Sequence, residues 1–145
     1  MKEIPDRAPT VMVVDDNDEV RLLLTQFLWS SGYRVIAAES AFEAERLALE
    51  SIPQLILMDI GMPHVDGLSA IWRMRNHAEL ADVPVVIISA CDSYDLRAEA
   101  AGSGCKGYLQ KPVATDELKV LMEQVLRHHL VDQNLATATD TQTCT

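Results

Sequence analysis

Five times along this chain a short apolar run gives way to a longer segment whose apolar residues recur at helical spacing. The runs cover residues 10–14, 33–37, 55–58, 85–89 and 108–109. Runs this short, apolar on both faces and rich in Val and Ile, read as buried strands. The intervening segments predict helices over about residues 18–31, 41–50, 68–77, 94–101 and 115–129. In the first, Val20, Leu23, Leu24, Phe27 and Leu28 share a face. In the third it is Leu68, Ile71, Trp72 and Met74. In the fifth it is Leu118, Leu121, Met122, Val125 and Leu126. Gly32 and Pro53 close the first two helices. Strict strand–helix alternation implies a parallel sheet with helices on both faces, a doubly wound α/β fold. Five strands fit the order 2-1-3-4-5 better than the six-stranded dinucleotide-binding arrangement.

At 145 residues and 48% hydrophobic content, one domain can bury a full core without disulfide or metal staples. The net charge of −10 argues against direct nucleic-acid binding, which needs Lys and Arg to neutralise phosphates. Cys91, Cys105 and Cys144 lack metal-ligand or CxxC spacing and read as free thiols in a reducing, cytoplasmic setting. The N-terminus lacks the apolar core of a signal peptide, and no run is long enough for a membrane span, so no membrane insertion is expected. His64, His77, His128 and His129 show no ligand spacing and read as surface residues.

The carboxyl ends of the strands carry the chemistry, because open α/β sheets bind ligands along that edge. The first strand delivers Asp15 and Asp16, the third Asp59, the fourth Ser89 and the fifth Lys111. The second delivers only Ala37 and Ala38, and in the 2-1-3-4-5 order it lies at the margin. Three clustered carboxylates repel one another, and a hard divalent cation with oxygen ligands relieves that. Mg²⁺ takes few protein carboxylates and leaves room for a phosphate oxygen. Lys111 and Ser89 suit further phosphate oxygens, and one carboxylate remains as a nucleophile able to form an aspartyl-phosphate.

The segments VMVVDDND, LILMDIGMPHVDG, VVIISA and GYLQKP resemble the signature segments of response-regulator receiver domains of two-component signal transduction, the CheY-like superfamily. The resemblance covers about residues 10–129, in order, residue type and spacing. It implies the flavodoxin-like (βα)5 fold, Mg²⁺ (or Mn²⁺) as cofactor, and a histidine kinase or histidine phosphotransfer protein as phosphoryl donor. Asp59 matches the phosphoacceptor, Asp15 and Asp16 the metal-holding pair, and Gly61 the position whose backbone carbonyl is a metal ligand. Ser89 and Tyr108 match the switch pair, Lys111 the site lysine and Pro112 its follower. Met62-Pro63 and Asp66-Gly67 match the turn after the phosphoacceptor. The resemblance further implies self-catalysed phosphotransfer and autodephosphorylation only, not an enzyme acting on other substrates. Gly61 and Cys91 flank the water route to the phosphoryl group and cannot position a water, which predicts a long-lived phosphoryl group.

On this reading residues 1–9 are a flexible lead-in and 10–130 the receiver. Residues 131–145, Thr-rich and without a sustained period, are a disordered tail or linker, and no output domain is visible. A new phosphoryl group would draw Ser89 in and let Tyr108 fill the vacated space. That biases the surface of the fourth helix, fifth strand and fifth helix for a downstream protein or a second copy of the chain. A phosphorylation-incompetent binding module of the same fold is disfavoured because Asp15, Asp16, Asp59, Ser89 and Lys111 are all present. A phosphatase of the aspartate-nucleophile type would need an Asp where Gly61 stands. A nucleotide binder would need a glycine-rich turn after the first strand.

Overall fold

The first four strands form where the chain offers four or more consecutive apolar residues, and the fifth around the shorter pair Tyr108 and Leu109. The structure, a computed structural model, describes residues 8–61, 67–90 and 94–138. The elements are β1 (Thr10–Val14), α1 (Asp18–Ser30), β2 (Arg34–Ala38), α2 (Ala41–Glu50) and β3 (Leu55–Asp59). They continue as α3 (Gly67–Arg75), β4 (Val85–Ser89), α4 (Tyr94–Gly102), β5 (Gly107–Gln110) and α5 (Thr115–Ala138). All four strand pairings are parallel and the sheet order is β2-β1-β3-β4-β5, as expected. Among the described residues no helix is long and apolar enough to cross a membrane.

Local chemistry sets the helix ends. Asn17 caps α1 by accepting from the Val20 N–H at 3.0 Å. Ser40 caps α2 by accepting from the Glu43 N–H, while the Glu43 carboxylate accepts from the Glu39 N–H. At the end of α1, Gly32 adopts φ +95° and the Tyr33 N–H donates to the Leu28 carbonyl. That closing turn needs a residue free of a Cβ.

Alternation along the strands splits the core in two. Val11, Val13, Leu55, Leu57, Val86 and Ile88 pack with Leu24 and Leu28 of α1 and Leu118, Met122, Val125 and Leu126 of α5. Met12, Val14, Ile56, Met58, Val85 and Ile87 pack with the alanines of α2, with Ala70, Ile71 and Met74 of α3, and with Ala100 of α4. Alanines 41, 44 and 48 let α2 lie close against the sheet.

Several expectations shift. The second strand begins at Arg34, one residue later than expected, and α3 covers Gly67–Arg75 rather than 68–77. Leu23 and Trp72 were placed on buried faces but stand 65% and 56% exposed. Helical spacing names a face only to within one residue in either direction, and each is next to a buried residue, Leu24 and Ile71. The fifth strand extends beyond the 108–109 run on both sides and opens at Gly107. The fifth helix continues to Ala138, through residues assigned to the tail. That stretch has no strong helix breaker, so helix propagates although the apolar period has ended. Met62, Pro63, His64, Asp66, Cys91 and Cys144 lie outside the described residues.

Candidate functional site

Parallel pairing places the carboxyl ends of β1, β3 and β4 side by side, and the chain just beyond those ends supplies the polar groups. The Asp15 N–H still donates to the Ala38 carbonyl, at 3.1 Å, so the sheet ladder holds Asp15 in strand geometry. Asp15 therefore continues the Val11, Val13 series of side chains, as Asp59 continues Leu55 and Leu57. Both carboxylates lean to the α1/α5 side of the sheet. Ser89 continues the opposite series, Val85 and Ile87. Asp15, Asp59 and Ser89 are 1%, 6% and 3% exposed, whereas Asp16 is exposed.

Asp15, Asp16 and Asp59 each offer a carboxylate oxygen, and these oxygens lie within 4.8 Å of one another. Each buried acid is held by the turn that follows it. The Asn17 N–H donates to Asp15 Oδ1 at 2.9 Å, and the Gly61 N–H donates to Asp59 Oδ1 at 3.0 Å. These bonds leave the other oxygens, Asp15 Oδ2 and Asp59 Oδ2, for the ammonium of Lys111, 2.7 and 3.5 Å away. The Lys111 N–H donates to the Ser89 carbonyl at 2.8 Å, which carries the β4–β5 ladder one step beyond β5 and fixes where the side chain starts. The Lys111–Pro112 peptide is cis.

The electrostatics follow from this crowding. Burial pushes the Asp59 carboxyl above its ordinary value; the Gly61 N–H and Lys111 oppose that, and the Asp15 charge adds to it. Lys111 is raised as well. Burial works against its charge, but the bond to Asp15 and the charges of both acids outweigh it. The same upward shift favours the neutral form of Asp59 and the charged form of Lys111, because Lys111 meets two carboxylates while Asp59 is buried beside one cation and one like charge. Among the described residues, one ammonium facing three acids leaves them incompletely balanced. All-oxygen donors with a net negative surplus, facing an open edge, are a donor set that suits a hard divalent cation.

Residues 11–123 match the sequence profile of the response regulator receiver domain. The chain belongs to that family. Among relatives of this receiver domain, the transcriptional regulatory protein PrrA of Mycobacterium bovis is 39% identical over 120 residues, covering 83% of this chain and 51% of PrrA. The virulence transcriptional regulatory protein PhoP of Salmonella typhimurium is 34% identical over 119 residues, covering 82% of this chain and 52% of PhoP. The receiver thus spans about half the length of these curated relatives. The receiver domain of the Francisella response regulator 1452 superposes with a TM-score of 0.76 at 29% identity, over 83% of this chain and 98% of that one. Chemotaxis protein CheY4 of Vibrio cholerae, at 24% identity and a TM-score of 0.78 over 81% of this chain and 98% of its own, shares the fold.

All five acidic, hydroxyl and amine side chains singled out from the sequence occur at the expected strand ends. Lys111, expected to meet a phosphate oxygen, here lies against Asp15 and Asp59. Tyr108 is half-buried, with the Arg97 guanidinium 4.7 Å from its ring centroid. Gly61 is exposed, and a Cβ there would meet only Asp59 Oδ1, at 3.6 Å, an ordinary contact. Sequence reasoning missed Arg97 and two groups that brace the β1–α1 turn, the Asn17 backbone and Arg21. The cap preference of Asn17 is legible in sequence; a cation six residues after an acid is not.

Proposed function

We propose that this receiver accepts a phosphoryl group on Asp59 from a phosphohistidine, on a histidine kinase or a histidine phosphotransfer protein, in a Mg²⁺-dependent reaction. The observation that carries the reading is the grouping around Asp59: Asp15 and Asp16 bring carboxylate oxygens within 4.8 Å of its own, and the Lys111 ammonium lies 3.5 Å from Asp59 Oδ2 and 2.7 Å from Asp15 Oδ2. Asp15, Asp16, Asp59 and the Gly61 carbonyl would hold a Mg²⁺ or Mn²⁺, which would supply neutralisation of charge on the transferring group. The chain's own part is positional. The Gly61 N–H holds Asp59 Oδ1, which leaves Oδ2 as the nucleophile. Oδ2 forms the new O–P bond as the donor's N–P bond breaks, and the imidazole leaves with that electron pair. Lys111 then follows the charge from carboxylate to phosphoryl oxygen, with Ser89 donating to another.

Phosphorylation puts nearly two negative charges where one stood. Ser89 moving towards them opens space for Tyr108, and the α4–β5–α5 surface shifts between two arrangements for a downstream protein or a second copy of the chain. Output through protein contact in the cytoplasm fits the net charge of −10. The chain turns over no other substrate beyond its own transfer and autodephosphorylation. Intact-mass measurement after treatment with acetyl phosphate and Mg²⁺ tests the reading. The expected result is one added phosphoryl group, lost in Asp59→Asn and without Mg²⁺; an unmodified wild-type chain identical to Asp59→Asn marks a non-phosphorylated binding module instead.

A further inference from the structure

The turn between β1 and α1 carries Asp15 and Asp16, and one side chain ties that turn to the helix behind it. Arg21 Nη1 donates to the backbone carbonyl of Asp15 at 2.8 Å, and Nη2 pairs with the Asp18 carboxylate. The Arg21 side chain is 19% exposed, while that of Asp18 is 84% exposed. The Asp15 carbonyl belongs to the peptide that joins Asp15 to Asp16. Holding that oxygen fixes the plane of the peptide, and with it the direction in which the exposed Asp16 leaves the chain. Asp15 is fastened independently through its N–H to Ala38, through Oδ1 to Asn17 and through Oδ2 to Lys111. Asp16 is held through the peptides on either side of it: Arg21 fixes the 15–16 carbonyl, and the 16–17 N–H donates to Asp15 Oδ1.

From this geometry we infer that Arg21 is a positioning residue for the cation site: it sets Asp16 against Asp15 and Asp59 by clamping the 15–16 peptide. The inference rests on the reading that these three acids hold a divalent cation. Two physical effects of Arg21 oppose each other. As a clamp it pre-orders a ligand and strengthens cation binding. As a positive charge near the acids it repels a cation and weakens binding. The guanidinium charge is partly met by Asp18, whereas the bond to the Asp15 carbonyl is partly buried and within ideal length. The clamp prevails, so losing Arg21 weakens cation binding although it makes the site more negative.

Electron paramagnetic resonance titration of Mn²⁺ with the full 145-residue chain reads this without any phosphoryl chemistry. Arg21→Met, which keeps the apolar stem, is expected to raise the Mn²⁺ dissociation constant about tenfold. Arg21→Lys, with a single ammonium in place of the fork, falls between, at about threefold. Asp18→Ala, which removes only the exposed ion pair, stays within about twofold of wild type. Unchanged or tighter Mn²⁺ binding in Arg21→Met overturns the inference, even if its melting temperature in EDTA drops, because a brace of the fold alone would lower stability and leave affinity untouched. If Arg21→Met does not fold, Arg21→Lys decides, and wild-type affinity there overturns it. A wild-type chain that binds no Mn²⁺ defeats the cation-site reading itself, and the inference with it.

Discussion

The Lys111 ammonium reaches Asp15 Oδ2 across 2.7 Å of space and 96 positions of sequence. It is a counter-charge for two buried acids. Lys111→Ala leaves Asp15 and Asp59 facing each other with no cation between them. Breaking a fully buried pair costs about 3–5 kcal/mol, and partial solvation of Lys111 reduces that to about 1–3 kcal/mol. Urea unfolding in EDTA is expected to show a loss of that size, with Mg²⁺ recovering much of it. A loss equal with and without Mg²⁺ would place the role of Lys111 elsewhere.

Asp59 predicts a pH dependence of opposite sense to an ordinary surface acid. Its carboxyl is held above 3.8, chiefly by burial, so folding favours its neutral form. The stability this contributes is fully present below the unfolded value and is lost as pH rises through the higher folded value. Asp59→Asn removes the loss. In EDTA, the melting temperature of Asp59→Asn minus that of wild type should start near zero in acid and become positive towards neutral pH. A flat difference across that range would contradict the assignment of burial as the dominant cause.

Gly107 makes a close approach that any side chain would disturb. A Cβ there would sit 2.7 Å from Leu121 Cδ2 and 3.0 Å from its Cδ1. Gly107→Ala therefore pushes Leu121 out of its place between β5 and α5, at about 1–3 kcal/mol. Leu121→Ala makes room, so the double variant should be more stable than the sum of the two single changes. Simple additivity in chemical denaturation would show that the contact is relieved some other way.

Arg75 bridges the end of α3 to the loop before β4. Its Nη1 donates to the Ala81 carbonyl at 2.7 Å and lies 3.4 Å from that of Val83. Arg75→Ala is expected to cost about 1–2 kcal/mol. Amide exchange should quicken around residues 80–83 before it quickens in the strands. Unaltered exchange there would mean that the buried Leu80 and Val83 hold the loop unaided.

The architecture was legible because two independent patterns coincide: apolar runs of strand length, and a polar residue at the end of four of them. Asp15, Asp59, Ser89 and Lys111 could be brought together from strand order alone. What stayed hidden depends on which way a side chain turns. Leu23 and Leu24 are indistinguishable in composition, yet one is 65% and the other 6% exposed. Lys111 is as well suited to a phosphate as to a carboxylate, and the chain itself offers it Asp15 and Asp59. Arg97 over Tyr108 and Arg21 on the Asp15 carbonyl are reaches of long flexible side chains, which spacing does not encode. The continuation of α5 beyond His129 reflects helix propagation through polar residues, where apolar period is silent.

The strands are apolar on both faces, and that has a cost in information. A one-residue slip of Val85–Ser89 along its neighbours would exchange Val and Ile between two equally greasy compartments at little penalty. Hydrophobic pattern alone therefore says little about where each strand should stop. The charged and hydroxyl residues at the strand tips say it clearly: a slip would drag Asp59 into hydrocarbon or strand Lys111 away from its acids. The same side chains that make up the site thus serve as registration marks for the sheet.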